Sequence, residues 1–233
     1  MTAARRASRG PAIMVARGRD CRIDRGVLLG YRPDRAVHDL HLTLGAGARL
    51  RSGTVLYAGS TIGRALQTGH GVIIREQNHL GDDVGIWSHS VIDYGCRIGD
   101  HVRIHTNCYI AQYTVIEDSA FLAPGVTIAN DPHPGCPYSR DCMRGPTIGA
   151  GAHLGINVTV LPYVTIGRRT LVGAGAVVTR NLPDGVVAAG NPARVLRAVT
   201  ELECVTGLTD RPYHPDGHTG PRLAELPHPP RRP

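Results

Sequence analysis

From residue 44 onward the chain places an aliphatic side chain at every sixth position. Leu44, Leu50, Leu56 and Ile62 open the series, and Ile74, Leu80, Ile86, Ile92, Ile98, Ile104, Ile110, Ile116, Leu122 and Ile128 extend it; Thr68 is the exception. Four residues after most anchors sits a small or β-branched residue, such as Ser60, Val72, Ser90, Cys96, Cys108 or Val126. The rhythm stops after Ile128 and resumes at Ile148, continuing through Leu154, Val160, Ile166, Val172 and Val178 with its phase moved by two residues. A period of six suits neither an amphipathic helix nor an alternating strand. It suits a chain that turns a corner every six residues, three corners to a coil, with anchor and small residue both facing inward. Coils of eighteen residues then stack at the strand spacing of about 4.8 Å. Each buries its anchors only against its neighbours, so the domain is an all-β parallel solenoid. Twenty-one hexads make seven coils, a prism about 34 Å tall at that spacing. A β-sandwich would need hairpin turns every 8–12 residues, and these hexads leave no place for them.

Composition agrees. One Phe and one Trp exclude a core of stacked aromatics, while 29 glycines serve tight corners. The absence of lysine excludes Schiff-base chemistry. The net charge of +7 is concentrated in residues 1–25, where seven Arg face two Asp. That segment reads as a solvated, mobile basic arm rather than a nucleic-acid tether. It lacks an apolar core typical of a secretory signal, and no 18-residue apolar run occurs. The expectation is a cytoplasmic protein with neither membrane nor nucleic acid as partner. Residues 26–190 form the prism. In 191–206, Asn191 and Pro192 give a helix-start signal, and Val195, Leu196, Val199 and Leu202 predict a short capping helix. Residues 207–233, with seven prolines, predict a mobile tail.

The interruption at 131–146 is a loop extruded from a regular solenoid, and such loops commonly carry function. His133 stands in it between Pro132 and Pro134, each of which restrains one φ angle. An imidazole so braced suits a general base; a loop histidine that merely hydrogen-bonds backbone is the other reading. Residues eighteen apart stack, so Asn130 caps a column with Gln112, Tyr94 and Glu76, while Asn107 stacks on His89 and His105 on Trp87. Such columns are either a solvated face or the wall of a polar site. Cys96 and Cys108 occupy inward positions and read as core. Cys136 and Cys142 lie in the loop at a spacing unlike a zinc pattern; reduced thiols are expected and no metal is required, with a disulfide- or metal-pinned loop as the alternative.

Hexads such as "IGDHVR", "IGAGAH" and "VGAGAV", closing on "GNPARV", resemble the hexapeptide-repeat acyltransferases over about residues 25–198. That resemblance implies a left-handed parallel β-helix, a homotrimer with sites between prisms, and acetyl-CoA as co-substrate. His133-Pro134 matches the catalytic His-Pro of the maltose and galactoside O-acetyltransferases. Asn130-Asp131 matches an Asn-Asp context of the nucleotide-amino-sugar N-acetyltransferases. The resemblance therefore implies His133 and Asn130 as catalytic and Asp131, His105 and Asn107 as acceptor-binding, and the column under Asn130 adds Gln112 and Tyr94 to the acceptor wall. Gly155, Gly173 and Ala174 would admit the pantetheine arm, and Arg180 and Arg194 would meet phosphate. The expected reaction is acyl transfer to an amino group of a sugar or nucleotide sugar. O-acylation with His133 as base and a non-catalytic scaffold are the alternatives. The γ-carbonic anhydrases share the fold, but no two histidines here have the 36- or five-residue separations their zinc sites require.

Overall fold

A computed structural model describes residues 12–207, 209 and 211–213. Most hexad anchors close a two-residue strand, and a corner follows. Arg103–Ile104, Tyr109–Ile110 and Val115–Ile116 are successive strands on three different faces. The faces are sheets of eight, ten and eight strands. The first carries Ile98 and Ile116, the second Ile104 and Leu122, and the third Ile110 and Ile128. Strands within a face are parallel, apart from the last pair of the second. Ile86 lies beside Thr68 below and Ile104 above, the eighteen-residue step expected. Across the interruption the step is thirty-two: Val115 pairs with Thr147, Phe121 with His153 and Thr127 with Thr159. The loop therefore lengthens one coil without disturbing the stack.

The anchors fill the prism. Ile74, Ile92, Ile104 and Ile110 have no exposed surface, nor do the small partners Ala48, Val72 and Val102. Where the small residue is polar, it donates to a corner carbonyl that the sheets leave free. Ser60 Oγ donates to Arg75 O at 2.7 Å, Ser90 Oγ to His105 O at 2.7 Å, and Cys96 Sγ to Ala111 O at 3.2 Å. Thr68, the polar anchor, accepts the Arg51 N–H at 3.1 Å and shares a hydroxyl hydrogen bond with Thr54 at 3.0 Å. Burial pushes the Cys96 thiol up to about 12 and raises Cys108 as well. Both are core groups that stay protonated at neutral pH.

The ends depart from the sequence-based expectation. The basic arm does not extend to residue 25. Met14–Arg17, Arg22–Ile23 and Leu28–Tyr31 are strands that add an eighth coil beneath the seven. Residues 1–11 lie outside the described residues. The expected helix over 191–206 is instead a strand, Arg194–Ala198, paired antiparallel with Val186–Ala189, followed by a single 3₁₀ turn at Val199–Glu201. An open sheet edge offers unpaired backbone groups, and pairing with it overrides a weak local helical preference. Most of the proline-rich segment 207–233 lies outside the described residues.

Replacing Ile104 by Asp would bury an unpaired carboxylate at the centre of this stack. The expected loss is more than about 4 kcal/mol, seen as a collapse of the thermal transition; a normal melt would refute the inward register.

Candidate functional site

The third face ends at Ile128, and the chain should there turn a corner to the first. Asn130 begins that corner and the loop leaves from it. Arg144 N–H donates to Asn130 O at 2.8 Å, closing the loop at its base. Gly145 and Pro146 then re-enter the first face, where Val115 N–H reaches Pro146 O at 3.0 Å. A side chain at Gly145 would meet the Thr114 backbone nitrogen at 2.5 Å, so the return requires glycine.

Inside the loop Asp131 is the organiser. Its Oδ1 accepts the His133 N–H at 2.9 Å and its Oδ2 accepts the Ser139 hydroxyl at 2.6 Å. His133 O in turn accepts the Cys136 N–H at 3.0 Å. The His133 side chain is exposed. Its backbone is tied on both sides while its ring is presented outward. Cys136 and Cys142 are free thiols, and no group of three or more metal-ligating side chains occurs among the described residues.

Two loop-holding residues carried no sequence signal. Tyr163 hydroxyl donates to Cys142 O, and the Arg144 guanidinium lies 5.8 Å from the Tyr163 ring centroid. By the thirty-two-residue step, Tyr163 corresponds to Asp131 in the coil register. Counting across the interruption would have found it, but that step was not readable without the pairing.

The column beneath Asn130 is a satisfied charge network. Glu76 has no exposed surface and pairs with Arg75 at 3.1 Å and with Arg35 at 3.4 Å. Asp93, 6% exposed, accepts from Gln112 Nε2 at 2.7 Å and the Tyr109 hydroxyl at 3.0 Å, and faces Arg75 Nη1 at 3.2 Å. Tyr94 carries the Arg35 guanidinium 3.8 Å above its ring. Burial, reinforced by Asp93, pushes the Tyr109 phenol up to about 12. Gln112 and Tyr94 are thus committed to this wall. Asn130 is not: its Nδ2 is the buried side-chain nitrogen without a partner among the described residues, although the residue is only 8% exposed.

The remaining candidates lie elsewhere. His105 and Asn107 occupy the corner between the second and third faces. Asn107 is there in the left-handed region at φ 59°, which Asn tolerates, so corner geometry accounts for its type. His105 stacks on Trp87 and meets Phe121 at a tilt of 54°, and burial lowers its pKa. Gly155, Gly173 and Ala174 lie on that same edge in later coils. A Cβ at Gly155 would meet Ala174 N at 2.6 Å, and one at Gly173 the Ala189 Cβ at 2.9 Å. Coil stacking itself therefore demands both glycines. Arg180 and Arg194 are exposed near the last coils. One chain does not gather all these residues. Asn130, Asp131, His133, Gln112 and Tyr94 share one edge, His105, Asn107 and the glycines another.

Residues 95–130 and 145–180 match the family model described as bacterial transferase hexapeptide, six repeats. The prism carries the six-residue repeat that this model describes, and the two matched segments flank the loop. The galactoside O-acetyltransferase of Escherichia coli is 36% identical over 121 residues, 45% of this chain and 58% of that protein. Serine acetyltransferase 2 of Arabidopsis thaliana is 32% identical over 127 residues, 54% of this chain and 37% of that protein. The chain thus spans little more than half of the one relative and about a third of the other. The solved UDP-N-acetylglucosamine acyltransferase of Bacteroides fragilis superposes with a TM-score of 0.58 at 14% identity, covering 76% of this chain and 72% of that one. It shares the fold, a left-handed parallel β-helix.

An unpartnered buried amide costs about 1–3 kcal/mol. Asn130→Leu, close in volume, is expected to leave the melting temperature unchanged or raise it, which differential scanning calorimetry would read. Tyr163→Phe removes the loop's hydroxyl anchor and should speed proteolytic cleavage within 131–146 several-fold while the melting temperature of the prism holds.

Proposed function

We propose that the chain is an acetyltransferase that moves the acetyl group of acetyl-CoA to a hydroxyl of a small polar acceptor, a sugar being the preferred class. The single observation that carries this reading is the corner at Asn130. A histidine with a fixed backbone and a free ring stands three residues from a buried amide donor that lacks an acceptor. Support for an oxygen acceptor comes from the two relatives above, named for galactoside and serine acetylation.

In this reading His133 takes the acceptor's proton as its oxygen attacks the thioester carbonyl. A hydroxyl is a poor nucleophile until that proton is lost, so the base is needed at the moment of attack. Negative charge gathers on the carbonyl oxygen. Asn130 Nδ2, buried and already dry, is suited to meet it, because a preorganised donor costs no reorganisation when charge develops. The tetrahedral species collapses by expelling the CoA thiolate, which takes up the proton from His133. No enzyme nucleophile is required, consistent with the protonated core thiols. Asp131 contributes by holding the His133 backbone rather than by touching acceptor. The exposed guanidinium groups of Arg180 and Arg194 are offered as contacts for the donor's phosphates. The split of candidates over two edges supports a homotrimer, in which His133 of one prism could face the His105–Asn107 edge of the next.

A second reading, transfer to an amine of a nucleotide amino sugar, draws support from Asn130 alone, since an unprotonated amine attacks without a base. Mass spectrometry of products from acetyl-CoA with a panel of sugars and amino sugars separates the two. His133→Ala is expected to lower turnover of a hydroxyl acceptor by about 10²-fold or more, with the fold intact by circular dichroism. Full activity on a hydroxyl would remove the base role from His133. Should acetyl-CoA leave the melting temperature unmoved, the non-catalytic scaffold becomes the better reading.

A further inference from the structure

The lone tryptophan of the chain stands one coil below His105. Trp87 opens the corner between the second and third faces, and its column in the coil register reads Arg51, Gly69, Trp87, His105. The upper face of its indole is covered. His105 stacks on it with ring centroids 4.5 Å apart and planes within 6°. The indole also borders a space lined by Arg51, Gln67, Gly69 and His70. Beside it on the second face the outward column reads Gln67, Gly85, Arg103, and the indole edge leans over Gly85, whose added Cβ would meet it at 2.9 Å. The space bordered by the indole is a cavity of about 430 Å³.

Its dimensions follow from the fold. Arg51 and Trp87 are two coils apart, about 10 Å along the axis at the strand spacing. A flat ring needs about 3.5–4 Å of contact distance on each face, so the space between them takes one ring and no more. The walls suit such a ring. Trp87 is 39% exposed. Arg51 has only a loose contact to Asp24, 3.7 Å between two exposed side chains, which leaves its guanidinium available for stacking. Arg103, by contrast, is held by Asp83 at 2.6 Å and serves as a fixed side wall. Gln67 and His70 line the mouth with amide and imidazole groups that can meet ring nitrogens and carbonyls at the edge.

We propose that this slot binds a planar heteroaromatic ring, the base of a nucleotide, between the Trp87 indole and the Arg51 guanidinium. The slot is on the second face, across the prism from the edge that carries His133, and does not depend on the acyl-transfer reading. The base could be the adenine of a coenzyme A or the base of a nucleotide sugar, and binding experiments distinguish them.

Trp87 is its own probe. Titrating the full chain with AMP, GMP, UMP or coenzyme A should give a saturable change in tryptophan emission, while ribose 5-phosphate and pyrophosphate give none. Arg51→Ala is expected to weaken nucleotide binding about tenfold and Trp87→Leu at least as much, the latter read by calorimetry. Both variants should keep the parental melting temperature, because neither side chain is in the core. Response to AMP and coenzyme A alone identifies the adenine of the donor and moves its phosphates away from Arg180 and Arg194; response to UMP or GMP identifies a nucleotide sugar. No emission change up to millimolar nucleotide, an equal response to ribose 5-phosphate, or unchanged affinity in both variants would overturn the proposal. Each of these readouts is independent of turnover, so their failure leaves the role of His133 untouched.

Discussion

Stacking of one coil upon the next is the interaction on which the rest of this structure depends. No coil can bury its own anchors. Ile86 is covered because Thr68 lies below it and Ile104 above, and the same holds up the prism. Backbone hydrogen bonds run along the axis between coils, so each layer is both the template and the lid of its neighbour. The top needs a different device. There Arg194–Ala198 turns back and closes the second sheet with an antiparallel partner.

A stack of this kind tolerates an excursion that returns to register. Closing a longer loop adds little entropy cost, about 0.6 kcal/mol for each doubling of length, and the ladder resumes unchanged. Two excursions use this freedom on the same edge. The segment 131–146 is one. The other, 32–40, lengthens the first coil so that Ile23 pairs with Leu50 and Leu29 with Leu56. From it Arg35 reaches Glu76 and lies over Tyr94. The resulting wall has two buried carboxylates matched by two guanidinium groups, the condition under which buried charge is tolerated. Against that balance the unpaired amide of Asn130 stands out as a group that the fold alone does not satisfy.

Much of this was legible in the residues. The anchors from Leu44 to Val178 face inward as their period requires, and the interruption is an extruded loop. The first coil was not legible, because the position paired with Leu44 is Arg17, an exposed residue at the open end, and the nine-residue excursion hides the step to Ile23 and Leu29. The last strand was misread as helix, because four apolar residues in eight fit either period when one cannot see the sheet edge waiting for them. At the candidate site His133 was visible through its flanking prolines, yet Asp131 proved to hold the loop, and Gln112 and Tyr94 proved to be engaged with Asp93 and Arg35.

By itself, then, the order of residues determined which side chains enter the tube and where the chain leaves it, since both are questions of local spacing. Tertiary structure decided which polar groups meet. Tyr163 finds the loop carbonyl of Cys142, Arg35 finds Tyr94, and Trp87 stacks on His105, through contacts that span 18 to 59 residues. Such contacts leave no local trace, because they depend on how many residues each coil contains rather than on the neighbours of any one of them.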